Sequence, residues 1–189
     1  MGKYETKIWS QSNIWGVTSM ILVTVGIRGQ FNRLIKEIDR LKKQGKIKEK
    51  VVAQISDSDY KPENIEDYFK YESLEKMINL IKTANVVVTH GGVGSISLSL
   101  QYGKPTIVVP RLKRFNEHTD DHQLQITKEL EKQGRVIAVY EIKNLGLSLE
   151  RVENTKKIKK SKKFNKKGKS KIEAMIVDYL KDLESKKLK

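Results

Sequence analysis

The chain has no cysteine, only three prolines and no long apolar run among its 189 residues. Without cysteine there can be no disulfide framework, no thiolate zinc site and no cysteine nucleophile. Its apolar runs fall well short of the roughly 20 residues that a membrane-spanning helix needs. Residues 1–20 also lack the continuous apolar core of a signal peptide. These absences exclude a disulfide-rich secreted module and predict a protein of a reducing compartment, the cytoplasm.

Acidic residues are scarce in one segment near the C-terminus, which carries most of the net charge. The whole chain has 38 basic and 23 acidic side chains, a formal net charge of +15. Residues 151–171 contribute +10 of this, from eleven basic residues and one acid, so all other residues carry +5. Because like charges repel, we predict a flexible basic linker over 151–171. Apolar residues at helical spacing then predict an amphipathic helix over 172–189, and residues 1–19 form an extension of unknown role.

Between residues 20 and 150, apolar strand-like segments alternate with amphipathic helical ones. The segments that predict strands are 20–26, 51–56, 85–89, 106–110 and 136–140. The segments that predict helices are 31–41, 74–81, a stretch of small residues ending near 102, and 121–132. The strands are apolar on both faces, as in parallel sheets covered by helices on each side. The sequence therefore predicts an α/β domain with a mostly parallel, Rossmann-like sheet.

A glycine-rich turn, HGGVGS, follows the third predicted strand. It begins at His90 and continues through the residues Gly91, Gly92, Val93, Gly94 and Ser95. Glycines let backbone N–H groups approach an anion closely, and the start of the next helix adds partial positive charge. A diphosphate is the natural ligand, although glycine turns at strand–helix junctions also serve packing alone. Gly26 ends the first predicted strand and should lie at the same edge of the sheet.

The segment 111–125 (RLKRFNEHTDDHQLQ) is unusually polar and leads into a helix. His118 and His122 are four residues apart beside acids, a spacing that also occurs in metal sites, but the sequence offers no third ligand beyond those acids. Asp120 and Asp121 are suited to capping the helix. Gln123 has an amide group that can both donate and accept hydrogen bonds with sugar hydroxyls.

Six motifs in consistent order carry a resemblance to a known family. They are VTVG (23–26), FNRLIKEIDRL (31–41), SDYKPENIE (58–66), THGGVGS (89–95), GKPTIVVPR (103–111) and EHTDDHQLQI (117–126). Together they resemble the glycosyltransferase family 28 C-terminal domain, over roughly residues 20–140. The likeness is to its stand-alone form, the donor-binding subunit of a two-part UDP-N-acetylglucosaminyltransferase or polysaccharide glycosyltransferase. It implies the C-terminal half of a GT-B fold, with a UDP-sugar-binding domain over 20–150.

The resemblance also assigns roles to individual residues. The turn from Gly91 to Ser95 matches the family's diphosphate-binding turn, His90 matches the histidine that opens it, and Gly26 matches the first loop at the subunit cleft. Donor-sugar contacts are expected at Asp121, His122 and Gln123. The role of a catalytic base falls to His90 or, more naturally, to the partner subunit.

The function implied is inverting sugar transfer from a UDP-sugar, expected to be UDP-N-acetylglucosamine, onto a lipid-linked glycan. A separate membrane-anchored subunit would hold the acceptor, and this chain would be inactive without it. No cofactor and no metal are expected, since the helix N-terminus can stabilise the leaving diphosphate. The chain should be cytoplasmic and recruited to the cytosolic face of a membrane, where its basic linker can meet anionic lipid.

Three departures from the family pattern keep an alternative open. The family places an acid where this chain has Leu98, and that acid holds the ribose hydroxyls. The family also prefers threonine at the position of Ile27 and glycine at that of Ser56. A non-enzymatic nucleotide-binding or scaffolding paralogue is therefore a second hypothesis. Nucleic-acid binding through the basic segment is a third and weaker one, because no reader module is recognisable. A dinucleotide dehydrogenase is disfavoured, because GxGxxG does not follow the first strand.

Overall fold

Six strands and five helices form the part of the chain that the computed structural model describes, residues 19–159. The strands are β1 (Met20–Thr24), β2 (Lys50–Gln54), β3 (Asp67–Phe69), β4 (Val86–Thr89), β5 (Thr106–Val108) and β6 (Ile137–Ala138). The helices are α1 (Asn32–Lys43), α2 (Leu74–Thr83), α3 (Val93–Gln101), α4 (His122–Lys132) and α5 (Leu145–Lys159). Short 3-10 turns occur at Lys113–Phe115 and Ile142–Asn144.

The strands form one sheet in the order β3-β2-β1-β4-β5-β6, and all five pairings are parallel. The prediction of an α/β, Rossmann-like, mostly parallel sheet is confirmed. Strand order reverses between β1 and β4: β2 lies on one side of β1, and β5 lies on the far side of β4. In open α/β sheets, such a reversal opens a crevice at the carboxyl ends of the two strands.

The sheet is buried on both faces because successive residues of its strands point to opposite sides. In β1, Ile21 and Val23 join one apolar cluster with residues of α1 and α5, whereas Leu22 joins a second cluster with residues of α2. Three residues of α5 pack in the first cluster: Leu145, Leu149 and Val152. Burial of both faces explains why the strands read as continuous apolar runs in the sequence.

Two features differ from the sequence prediction. The short strand β3 lies within a segment predicted to be a polar loop, and it extends the sheet beyond β2. Helix α5 crosses the boundary predicted after residue 150, so the start of the predicted flexible linker is helical and Val152 is buried. That part of the linker prediction is wrong. The rest of the linker, residues 1–18 of the predicted extension over 1–19, and the predicted helix over 172–189 lie outside the described residues.

None of the helices described between residues 19 and 159 combines the length and the apolar character that crossing a bilayer requires.

We expect Leu149→Ala to lower the free energy of unfolding by about 2–4 kcal/mol, because it empties a buried leucine site. Leu147→Ala, the same change two residues away, should cost less than about 0.5 kcal/mol. Leu149 is 6% exposed and Leu147 is 59% exposed, so the pair differs in burial but not in chemistry. Urea denaturation of both variants checks this. Equal losses would contradict the docking of α5 on the sheet.

Candidate functional site

The loops that follow β1 and β4 meet at the reversal of strand order. The β1–α1 loop contains Gly26 and Gly29, which both adopt positive φ (82° and 78°). The β4–α3 turn contains the glycines predicted to bind a diphosphate. His90 extends the pairing of the two strands, because its N–H donates to the carbonyl of Thr24 at 3.3 Å. The structure thus brings the two predicted phosphate-facing segments together.

The side chain of His90 fills the space between these two loops. A methyl group built on Gly26 would lie 2.7 Å from the His90 ring, and one built on Gly92 would lie 2.1 Å from its Nε2 atom. Both distances are far below van der Waals contact, so the ring fits only because both neighbours are glycine. His90 is 8% exposed, and burial together with the positive charge of Arg111 lowers its pKa to about 3. The imidazole is therefore neutral at physiological pH.

Helix α3 begins at this point with free backbone donors. Gly92 is its N-cap residue, and no side chain caps the helix. Within residues 19–159, no acceptor is found for the N–H groups of Gly92, Val93, Gly94 or Ser95. Gly94 is exposed, and a methyl group there would meet nothing within 4 Å. Unpaired N–H groups at a helix N-terminus form an anion-binding site, and here they lie beside the crevice.

Gln123 holds the glycine turn against the end of β5. Its side-chain carbonyl oxygen accepts from the N–H of Gly91 and from the N–H of Arg111, both at 3.1 Å. Its Cβ would be 2.6 Å from a methyl group on Gly91, so this close packing requires glycine there. Gln123 is 7% exposed, and its side-chain amide nitrogen makes no hydrogen bond with any described residue. The oxygen is thus engaged in the fold, and only the NH₂ group is available to a ligand.

Arg111 was not predicted as a site residue, yet its side chain contacts the β1–α1 loop. It is 4% exposed and donates to the backbone carbonyls of that loop. Its hydrogen-bond partners are more than 80 residues away along the chain. The only sequence signal for Arg111 is its position directly after the predicted strand 106–110, at the end of the motif GKPTIVVPR.

A second long-range link is the bidentate ion pair of Arg33 with the buried Glu117, at 2.8 and 2.9 Å. It joins α1 to the segment before α4.

The other predicted sugar-contacting residues lie at the start of α4. Asp121 is the N-cap residue; it is exposed, and its carboxylate accepts from the N–H of Lys113 at 3.0 Å. His122 is half-buried, and its N–H donates to Asp120. His118 pairs with Asp120 at 3.1 Å. Nowhere in the described part of the chain do three or more His, Asp or Glu side chains gather in a way that could hold a metal ion.

The three departures from the family pattern have distinct environments. Ser56 adopts a positive φ of 49°, a conformation that favours the glycine usual in the family. Ile27 lies on the β1–α1 loop and is 72% exposed. Leu98 is half-buried and packs against the apolar cluster that includes Leu22 and Leu80. At this position the chain has apolar packing where the resemblance leads us to expect an acid.

Curated relatives match a short part of the chain. The human UDP-N-acetylglucosamine transferase subunit ALG13 is 34% identical over 70 residues, and the mouse protein of the same name is 33% identical. The match covers 37% of this chain and 6% of each relative, so the chain spans only a small part of their length.

Solved structures share the fold at low sequence identity. The glycotransferase of kitacinnamycin has a TM-score of 0.54 at 18% identity, over 80% of this chain and 38% of that one. Spinosyn forosaminyltransferase SpnP has a TM-score of 0.53 at 14% identity, over 72% and 35%. The solution structure of ALG13 has a TM-score of 0.50 at 18% identity, over 72% and 86%. The chain thus has the architecture of the C-terminal half of a GT-B glycosyltransferase.

The family model described as glycosyltransferase family 28 C-terminal domain matches residues 20–178, which includes the whole sheet, the glycine turn and the segment before α4. The chain belongs to this family.

Proposed function

We propose that this chain binds UDP-N-acetylglucosamine as the donor-binding subunit of an inverting glycosyltransferase. The observation that carries the proposal is the row of unpaired N–H groups that opens α3 at the reversal of strand order. Family membership and the similarity to UDP-N-acetylglucosamine transferase subunits support the choice of donor. A nucleoside diphosphate carries the charge that such a helix N-terminus stabilises.

In the proposed reaction, an acceptor hydroxyl attacks the anomeric carbon while the bond from that carbon to the diphosphate oxygen breaks. The electron pair of the broken bond leaves with UDP, so negative charge grows on the diphosphate. The start of α3 stabilises this charge through fixed backbone dipoles that need no reorganisation. Binding of UDP by this chain thus serves catalysis directly, and neither a metal nor a cofactor enters the proposal.

The hydroxyl proton requires a base, and we assign that role to the second subunit. His90 was the candidate in this chain, but its ring is enclosed between Gly26 and Gly92. A base is effective when its pKa lies near the working pH, whereas the pKa of His90 is lowered to about 3. In our proposal His90 positions the two loops instead. Gln123 can donate to an acceptor atom of the donor sugar, and Asp121 and His122 remain candidates for its other contacts.

The proposed acceptor subunit is membrane-anchored and presents a lipid-linked glycan. The curated relatives are subunits of a transferase, which supports a heteromeric enzyme. The basic segment 151–171 supports a location at the cytosolic face of a membrane, because each lysine or arginine near an anionic surface contributes about 1 kcal/mol of attraction. In this arrangement the chain is cytoplasmic and inactive until the two subunits meet.

A second function is favoured by the environment of Leu98. A chain that no longer binds ribose through an acid would have apolar packing of this kind at position 98. The alternative is a nucleotide-binding or scaffolding paralogue without catalytic activity. The two proposals differ in the affinity for uridine nucleotides and in product formation with an acceptor subunit.

We expect Gly94→Asp to weaken UDP binding roughly tenfold or more, since a carboxylate beside the helix N-terminus repels the diphosphate. The same charge should stabilise α3 by about 0.3–1 kcal/mol, so the melting temperature should stay constant or rise. Gly94→Asn is the matched neutral control. Calorimetric titration with UDP, UDP-N-acetylglucosamine and ADP measures the effect. Equal affinity of the Asp and Asn variants would place the diphosphate elsewhere, and wild-type protein that binds no uridine nucleotide would favour a scaffolding paralogue.

Leu98→Glu tests the missing ribose acid. The variant should be less stable than wild type by about 1–3 kcal/mol, because the new carboxyl group meets an apolar cluster. Leu98→Gln has the same shape without the charge. For a donor subunit, we expect the Glu variant to bind UDP about tenfold more tightly than the Gln variant, as a charged hydrogen bond to ribose would provide. Equal binding by the two variants would support the paralogue.

The neutral, buried imidazole of His90 predicts a pH-dependent stability. The unfolded chain takes up a proton below its ordinary pKa of 6.5, whereas the folded protein does so only near pH 3. This contribution is fully present above pH 6.5 and is lost as the pH falls towards 3. Between pH 7 and pH 5, wild type should lose about 2 kcal/mol more than His90→Asn. Urea denaturation at both pH values measures this difference. Identical losses would show that the pKa of His90 is the same in the folded and the unfolded chain.

A further inference from the structure

The guanidinium group of Arg111 organises the backbone of the β1–α1 loop. It donates to the carbonyl oxygens of Val25 at 2.6 Å, Arg28 at 2.7 Å and Gly29 at 3.0 Å. The group also lies over the ring of Phe31, with 5.5 Å from its central carbon to the ring centroid. A planar fork of donors suits such a set of acceptors, and an ammonium group does not reproduce it. The loop is therefore fixed by one buried side chain.

This arrangement leaves the loop with free donors. Three of its carbonyls turn towards Arg111, and the N–H of Gly29 donates to the carboxylate of Asp57 at 2.7 Å. The N–H groups of Ile27 and Arg28 have no acceptor among residues 19–159. Positive φ angles at Gly26 and Gly29 bracket these two groups. Successive free N–H groups in such a turn form a small anion-binding concavity.

Arg111 is also tied to the glycine turn on the other side of the crevice. Its backbone N–H and that of Gly91 share the side-chain oxygen of Gln123. The positive charge of Arg111 acts at the turn itself, since it contributes to the low pKa of His90. Arg111 makes no ion pair within the described residues, and the nearby carboxylates of Asp57 and Glu117 are bonded to other groups. The two carboxylates offset part of the Arg111 charge, but neither is a direct ionic partner of Arg111 among the described residues.

We propose that Arg111 is a positioning residue of the donor site, which holds the β1–α1 loop so that the N–H groups of Ile27 and Arg28 contact the diphosphate of the bound nucleotide. This inference rests on the proposed function. Arg111 contacts no substrate itself. It links two groups of backbone N–H donors, those of the β1–α1 loop and those at the start of α3, and so fixes the distance between them. Nucleotide affinity thus depends on a residue that lies behind the loop.

The first test compares Arg111→Lys with Arg33→Lys. Both variants keep the charge and lose an arginine fork at the same edge of the sheet, but Arg33 bonds Glu117 and Pro110 and makes no hydrogen bond to the β1–α1 loop. Calorimetry should show roughly tenfold weaker UDP binding for Arg111→Lys, as expected for lost hydrogen bonds to a charged group, and a change below about threefold for Arg33→Lys. Equal effects in the two variants, or none in the first, would overturn the proposal.

The conformation of the loop can be measured without ligand. Arg28 is exposed, so trypsin cleaves after it once the loop loosens. Mass spectrometry should show faster cleavage after Arg28 in Arg111→Lys than in wild type, with cleavage after the exposed Lys48 as internal reference. If wild type binds no UDP, the proposed function fails, yet this digest still decides whether Arg111 holds the loop. Unchanged relative cleavage would refute that part.

A surface variant keeps the proposal testable if Arg111→Lys does not fold. Asp57 is exposed and holds the loop from the solvent side through Gly29. Removal of its negative charge should by itself tighten anion binding, whereas loss of its hydrogen bond should loosen the loop and weaken binding. If positioning dominates, Asp57→Ala binds UDP several-fold more weakly than wild type. Tighter binding would overturn the proposal.

Discussion

The whole site depends on one constraint of the parallel sheet, the reversal of strand order between β1 and β4. The helices that follow these two strands pack on opposite faces, so no helix covers the edge between them. The loops that meet at this edge carry backbone polar groups, and a buried polar group must be paired. Most features of the site follow from how these groups find partners.

Some polar groups of these loops form hydrogen bonds within the fold, whereas others have no partner among the described residues. Carbonyls of the β1–α1 loop are bonded by Arg111, and the side-chain oxygen of Gln123 accepts from two N–H groups. Among residues 19–159, N–H donors without an acceptor remain at the start of α3 and in the β1–α1 loop, where they include those of Ile27 and Arg28. The free N–H donors at this edge can attract anions without any exposed catalytic acid or base. The chemistry suits a subunit that binds a diphosphate and leaves proton transfer to a partner.

Packing around the start of the glycine turn is so close that even a small side chain in place of the glycines there would disrupt it. The imidazole of His90 requires glycine on both sides, and the turn approaches Gln123 too closely for any residue but glycine at position 91. These glycines are required for packing, and this requirement is compatible with the proposed approach of an anion, so the two interpretations of the HGGVGS motif are not exclusive. The departures at Ile27 and Leu98 lie outside this packed unit. Ile27 affects only the exposed tip of the β1–α1 loop, and Leu98 affects only the packing of α3. Neither departure therefore disturbs the packed unit.

The sequence by itself determined the α/β class, the places of the longer strands and helices, and the glycine turn, because hydrophobic period and local glycine content are properties of neighbouring residues. It missed β3, which has only three residues, and the whole of α5, where leucines at 145, 147 and 149 alternate as in a strand. Only Leu145, Leu149 and Val152 share the buried helical face.

Only the tertiary structure decided how the site residues interact. The partners of Arg111 and Gln123 are separated from them by up to 86 residues, so no local pattern encodes which oxygen meets which N–H group. The same holds for His90, whose neutral charge follows from burial between two loops and not from its neighbours in the chain. The sequence determined which residues stand at the carboxyl edge of the sheet. Folding decided which of their polar groups are consumed and which remain for a ligand, because hydrogen bonds between distant segments form only when the sheet brings them together.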